Sequence, residues 1–155
     1  KRSRKINQKI SSFEVDMKTV MVFGTFDIIH GGHLHMFKQA KEYGDKLVVV
    51  VARDVNVEKI KNNGALHSEN ERLELLKHIN LIDEVVLGDL DDPYKRVLEI
   101  CPDIVALGYD QKEYVDNLQE ALMKCANPCR IVRLTAHKEN ELKSNKIRKY
   151  IERLV

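Results

Sequence analysis

Residues 19–33 read TVMVFGTFDIIHGGH, and this stretch decides the fold. Thr19–Phe23 (TVMVF) has the length and apolar content of a short buried strand. Gly24 and the turn-like residues up to Gly32 interrupt it. From His33 to Tyr43 the spacing becomes helical, with Leu34, Phe37 and Ala40 on one face and Gly44 as the expected stop. A strand, a tight loop and a helix in immediate succession form the opening of a βα unit. Backbone amides and the helix dipole at such a junction favour a phosphate. His30 and His33 are three residues apart and face the same place, and the glycines between them let the backbone approach a ligand closely.

The rest of the chain repeats the alternation. Lys46–Ala52 (KLVVVVA) is an unbroken apolar run, as expected of a central strand covered on both faces. Residues 53–67 are polar and read as a loop or short helix. Ser68-x-x-Glu71 matches a capping box for a helix ending near Ile79. Asp83–Leu87 is a third strand. Asp92-Pro93 places a cap and a first-turn proline ahead of a helix that Pro102 ends. Asp103–Leu107 is a fourth strand. Tyr114, Leu118 and Leu122 mark a long helix stopped near Asn127-Pro128. Arg130–Leu134 is a fifth strand, and Ser144 caps a last helix with Ile147, Ile151 and Leu154 on its buried side. Alternating strands and helices imply right-handed crossovers. The expected class is α/β, a doubly wound parallel five-stranded sheet with helices on both faces. Ligands of such sheets bind beyond the carboxyl ends of the strands, here just after residues 23, 52, 87, 107 and 134.

Composition narrows the function classes. At 155 residues the chain suits one domain, since domains cluster near ~100–150 residues. Hydrophobic residues are 43% and charged residues 32%, a globular balance with enough apolar side chains to offset chain entropy. The longest apolar run, Leu47–Ala52, falls far short of the ~20 residues of a spanning helix, so no membrane partner is expected, and no stretch given reads as a secretory h-region. The net charge of +2 hides an asymmetry. Residues 1–9 carry five basic residues and no acids, whereas the rest has 21 basic against 24 acidic, a balance of −3. The basic character is thus a short tail, not a nucleic-acid-binding face. An odd cysteine count (Cys101, Cys125, Cys129) argues against a disulfide framework and for a reducing, cytoplasmic compartment. Cys125-x-x-x-Cys129 lacks a second pair at zinc-binding spacing, and no protein metal site is expected.

Gly24-Thr25-Phe26-Asp27-Ile28-Ile29-His30-Gly31-Gly32-His33 resembles the HxGH signature of the nucleotidylyltransferase superfamily, and its GTFD lead-in resembles the cytidylyltransferase-like branch. The resemblance spans about residues 19–151 and implies a Rossmann-like fold. With the charge asymmetry, the expected division is a basic N-terminal extension over residues 1–17 and a nucleotidylyltransferase domain over 18–155. The resemblance also implies in-line attack by an acceptor phosphate on the α-phosphorus of a nucleoside triphosphate, with pyrophosphate leaving and no covalent enzyme intermediate. His30, His33, Lys61 and Arg72 are the implied catalytic residues, with Lys61 preferred to Lys59 as the lysine ahead of the Glu69-Asn70-Glu71-Arg72 segment.

Further residues follow from the same resemblance. Gly108-Tyr109-Asp110 resembles the family's G-x-D motif and implies contacts to base and ribose. Together with Gly24, Thr25, Phe26, His30, His33 and Ser144 it makes up the implied nucleotide site. Leu142–Ile147 resembles the family's ISSTxI-like segment, although Lys143 replaces one hydroxyl and Ala136-His137-Lys138 stands where the glycerol-phosphate enzymes carry an arginine. Asp27 either touches a metal-bound phosphate or fixes its loop, and with Lys59 it is placed on the acceptor side. Mg²⁺ is expected to arrive with the triphosphate.

Val51–Asp54, Val57–Lys61 and Leu107–Gln111 look like the archaeal-type FAD synthetases, which adenylylate FMN with ATP. The alternative is a cytidylyltransferase using CTP and glycerol 3-phosphate or another small alcohol phosphate. A non-catalytic nucleotide-binding domain is a third class, opposed by the joint presence of both histidines, Lys61 and Arg72. A homodimer is left open.

Overall fold

The structure, a computed structural model, describes residues 16–61, 63–112, 115–136 and 144–154. Almost all of the basic extension, Tyr114 and Lys143 lie outside them. The first half runs β1 (Thr19–Gly24), α1 (Gly31–Lys41), β2 (Lys46–Val51), α2 (Asp54–Ile60) and α3 (Glu69–Lys77). The second runs β3 (Glu84–Leu87), α4 (Lys95–Ile100), β4 (Ile104–Leu107), α5 (Leu118–Leu122), β5 (Arg130–Arg133) and α6 (Ser144–Glu152). The five strands form one sheet in the order β3-β2-β1-β4-β5, and every pairing is parallel.

Strand alternation divides the core into two layers. Val20, Val22, Leu47, Val49 and Val51 pack with Phe37 and Ala40 of α1 and Leu76 of α3. On the opposite face Met21, Val48, Val50, Val105 and Leu107 pack with Val97 of α4 and with Leu118 and Leu122 of α5. Five consecutive residues of β2, Leu47–Val51, are buried, which is why that strand reads as a continuous apolar run. Helices therefore cover both faces. The order reverses between β1 and β4, and this reversal opens a crevice at the carboxyl edge.

The polar stretch after β2, read as a loop or short helix, holds the short helix α2. Other local expectations change. Gly44 does not end α1 by a left-handed backbone. A Cβ there would lie 2.7 Å from the Lys18 carbonyl, so the residue is small because two chain segments meet. Asp92-Pro93 does not start α4. Asp89 accepts hydrogen bonds from the Asp91 and Asp92 amides, and Asp92 accepts from Tyr94 N, so a turn precedes the helix. In α6 the expected buried face is largely open, with Ile151 51% and Leu154 69% exposed. No described helix is long and apolar enough to cross a membrane.

Candidate active site

The carboxyl ends of β1, β2, β4 and β5 surround a cleft of about 490 Å³. The β1 loop supplies Gly24, Thr25, Asp27 and His30, and α1 supplies His33 and Met36. Ala52 and α2 line one wing with Asn56, Val57 and Ile60, followed by Lys61. Gly108–Gln111, Leu134 and Thr135 line the other wing, and Asn145 of α6 reaches the rim.

The two imidazoles cap α1. His30 is its N-cap, with extended backbone, and its Nδ1 accepts from the Gly32 amide at 3.1 Å. His33, three residues on, accepts the His30 amide at its own Nδ1 at 3.4 Å. A capping box built by hydroxyl and carboxylate elsewhere is built here by two imidazoles. The rings lie 4.0 Å apart between centroids and are inclined by 33°. A nitrogen that accepts from a backbone amide carries no proton, so this hydrogen-bond network assigns both neutral rings the Nε2–H tautomer. Burial depresses the His30 pKa, and burial followed by the charges of His30 and Lys61 pushes His33 down to about 4. Both rings are thus neutral near pH 7, each with one N–H left to donate.

Phe26 supports this pair from below. It is 3% exposed and has a left-handed backbone, φ 52°. Its ring meets His33 edge-on at 5.4 Å and Phe37 at 5.5 Å. Gly24 makes room for it, since a Cβ there would fall 2.6 Å from the ring. The ring of Phe26 thus packs under His33 and also forms part of the cleft lining.

Arg72 is 1% exposed and does not line the cleft. Its guanidinium donates to Thr25 O at 2.6 Å, Ala52 O at 2.8 Å, His67 O at 3.1 Å and Asp54 Oδ1 at 2.6 Å. It ties together three loops that border the cleft, and so acts on a ligand only through them. Burial alone would raise the Asp54 pKa, but the Glu69 amide and the Arg72 guanidinium outweigh it and hold the carboxyl below its usual range.

Asp27 is likewise committed. Its oxygens accept from Leu66 N at 2.8 Å and His67 N at 2.9 Å, and Arg148 of α6 closes an ion pair on it. Burial raises its pKa, and these donors together bring it below the ordinary value. Of its two expected roles, the loop-fixing one is the one its bonds express. Lys61 lines the cleft, whereas Lys59 does not, and its ammonium lies 3.4 Å from Asn56 Oδ1.

On the other wing, Gln111 N donates to Gly108 O and Gln111 Oε1 accepts from Gly108 N, closing a turn that carries Tyr109 and Asp110 into the lining. Arg133 fastens this turn through Gly108 O at 2.8 Å and Gln111 O at 2.6 Å. Ser144 opens α6, and its side chain lies outside the described residues.

This arrangement presents phosphate-binding donors at the switch point of a parallel sheet. A profile of the family described as Cytidylyltransferase-like matches residues 21–150. The chain belongs to the cytidylyltransferase-like family. Among its curated relatives, a protein of Thermoplasma acidophilum named FAD synthase is 43% identical over 90% of this chain and 97% of its own length. Another FAD synthase, from Methanosarcina barkeri, is 40% identical over 79% of this chain and 87% of its own. A Thermoplasma volcanium crystal structure described as a lipopolysaccharide core biosynthesis protein is 41% identical, with a TM-score of 0.73, covering 79% of this chain and 99% of that one. Pantothenate synthetase of Thermus thermophilus, at 13% identity and a TM-score of 0.53, shares the fold.

In this cytidylyltransferase-like chain the structure brings Gly24, Thr25, Phe26, Asp27, His30, His33, Lys61, Gly108, Tyr109 and Asp110 to one cleft and leaves Lys59 and Arg72 outside its lining. Sequence reasoning missed Asn56, Met36, Arg133 and Arg148. Of these only Arg148 carried a signal, one turn beyond Ser144 in a helix already placed at the site. Among the described residues no three His, Cys, Asp or Glu side chains form a cage for a metal ion. Of the two cleft carboxylates, Asp27 already accepts from Leu66 N and His67 N and pairs with Arg148.

Proposed function

We propose that this protein transfers the AMP moiety of ATP to FMN, giving FAD and pyrophosphate. The observation that carries the reaction class is the His30–His33 pair, two neutral Nε2–H donors at a helix N-terminus inside a cleft that also holds Lys61. The choice of FMN and ATP rests on the FAD synthase relatives at about 40% identity over most of the chain.

In this reading an oxygen of the FMN phosphate attacks the α-phosphorus. The bond from the α-phosphorus to the bridging oxygen breaks, and pyrophosphate leaves. The protein needs no nucleophile, and catalysis is positioning plus charge stabilisation. His30 and His33 donate to α-phosphate oxygens, whose negative charge grows along the reaction. Because both rings stay neutral they lose no Nδ1 hydrogen bond in doing so, and the site does not reorganise as charge develops. Lys61 adds a full positive charge beside them. Backbone amides of Gly24 and Thr25 and the first turn of α6, with Ser144 and Asn145, complete the phosphate cradle. Gly108, Tyr109 and Asp110 hold base and ribose. Asp27 and Arg72 position the loops. A divalent ion such as Mg²⁺ brought with ATP would offset the charge of the phosphates. The free thiols fit a cytoplasmic setting.

The test is pyrophosphate release with ATP or CTP against FMN, glycerol 3-phosphate and phosphocholine. FAD formation with ATP and FMN is the expected outcome. Turnover only with CTP and a small alcohol phosphate overturns the reading.

A further inference from the structure

The two wings of the cleft differ in chemistry. The wing at Gly108–Gln111 is a turn of polar backbone with the motif side chains Tyr109 and Asp110, beside Leu134 and Thr135, and its backbone groups are suited to reading the hydrogen-bonding edge of a base. The wing built by α2 is aliphatic. Asn56, Val57 and Ile60 lie on one helical face by their spacing, and Ala52 continues that face toward the sheet. Val57 is 2% exposed and packs into the protein, whereas Ile60, at the end of the same helix, is 44% exposed inside the cleft.

A single exposed isoleucine on a convex surface means little. This one lies in a concavity, in line with Val57 and Ala52, and next to the lysine that faces the reacting phosphates. The polar group of the wing is committed elsewhere. Asn56 Nδ2 donates to Asp89 O at 3.2 Å, and Asn56 Oδ1 lies 3.4 Å from the Lys59 ammonium. The wing therefore offers a ligand apolar contact with little edge recognition. A glycerol moiety would find few partners for its hydroxyls there and would leave Ile60 wet. A choline group would find no aromatic cage among the wing residues. A flat apolar ring carrying a phosphate on a flexible arm matches both the shelf and the adjacent lysine.

We propose that Ala52, Asn56, Val57 and Ile60 form the subsite for the isoalloxazine ring of FMN, and that Ile60 is its specificity-determining residue, selecting a flavin over a small alcohol phosphate. This rests on the FMN reading above. The ring lies against the aliphatic shelf, the ribityl arm runs past the end of α2, and the phosphate meets Lys61. Adenine occupies the opposite wing.

The experiment compares wild type with Ile60→Ser and Ile60→Leu, measuring FAD formation, KM for each substrate and inhibition by riboflavin, which keeps the ring and lacks the phosphate. Ile60→Ser is expected to raise KM for FMN about tenfold, the scale of one lost aliphatic side-chain contact. It should weaken riboflavin inhibition in parallel and leave KM for ATP and the melting temperature unchanged. Ile60→Leu should restore both flavin readouts. Wild-type protein that forms no FAD from FMN overturns the FMN reading itself. Wild type that forms FAD, with KM for FMN and riboflavin inhibition unmoved in Ile60→Ser, overturns the shelf alone. A rise confined to KM for ATP assigns the shelf to adenine and also overturns the proposal.

Discussion

Arg72 Nη1 donates to the carbonyl of Thr25 across 2.6 Å, joining α3 to the loop that carries both histidines. The same guanidinium reaches Ala52 O and Asp54, so the ends of β1 and β2 are held by one buried cation. Arg72→Ala leaves three carbonyls and the Asp54 carboxylate without their donor. It is expected to cost about 1–3 kcal/mol of stability, the scale for leaving part-buried hydrogen-bonding groups without a partner, since the Asp54 carboxylate, 38% exposed, regains water. Arg72→Lys should recover only part of this, because an ammonium cannot span the same acceptors. Urea unfolding of the three proteins measures both effects.

His33→Asn keeps a polar side chain but removes the Nε2–H donor. If the imidazole meets charge that grows in the transition state, kcat should fall about 10²–10³-fold. KM for ATP should change by far less. Steady-state kinetics with each substrate varied decide this, and equal losses in binding and turnover would assign the ring to ground-state phosphate binding instead.

The depressed His33 pKa has a consequence for stability. In the unfolded chain the imidazole takes a proton below about 6.5. In the folded protein it resists protonation until about pH 4, because burial opposes the charge and His30 and Lys61 repel it. Below pH 6.5 the unfolded state therefore binds more protons, and stability falls as pH drops from 6.5 toward 4. Asp27 and Asp54, with pKa values lowered by their donors, add to the loss only at still lower pH. The melting temperature of the wild type should decline across this window, and His33→Asn should flatten that decline.

Gly24→Ala places a methyl 2.6 Å from the Phe26 ring, which is 3% exposed and confined by Phe37 and His33. The ring must shift or the strand end must bend, with an expected cost of about 1–3 kcal/mol for overpacking. Since the displaced ring supports His33, turnover should fall even where the variant is fully folded. Calorimetry and kinetics on the same preparation separate the two effects.

Lys61→Ala and Lys59→Ala test which lysine serves the phosphates. Lys61 lines the cleft and Lys59 does not. Lys61→Ala should lower kcat/KM by about two orders of magnitude, on the scale of one lost charge-assisted contact to the transferring phosphoryl group. Lys59→Ala should stay within about threefold of wild type, the scale of a surface charge. The reverse ranking would move the phosphate site two residues back, into the last turn of α2.

How much was legible in the sequence follows from the range of the interactions. The class of the fold, the placing of five strands and the junction that carries His30 and His33 are set by local patterns. Continuous apolar runs, capping residues and glycines at a strand-to-helix turn act within a few neighbours, so they can be read without knowing what packs against them. Arg72 shows the limit. Its place in the Glu69–Arg72 segment implied by resemblance a catalytic residue supporting the lysine, yet its partners lie 5, 18, 20 and 47 residues away, and only their convergence shows that it ties loops together. Asp27 joins Arg148 across 121 residues for the same reason. Phe26 sits in a motif that invites a ligand-binding role, and only the packing of Gly24, Phe37 and His33 around its ring shows that it serves the core as well as the cleft wall. The sequence by itself determined which chemical groups stand at the end of β1. The tertiary structure alone decided which of them face the cleft and which are spent holding it open, because a buried charge or ring takes its place from whatever distant segments meet it.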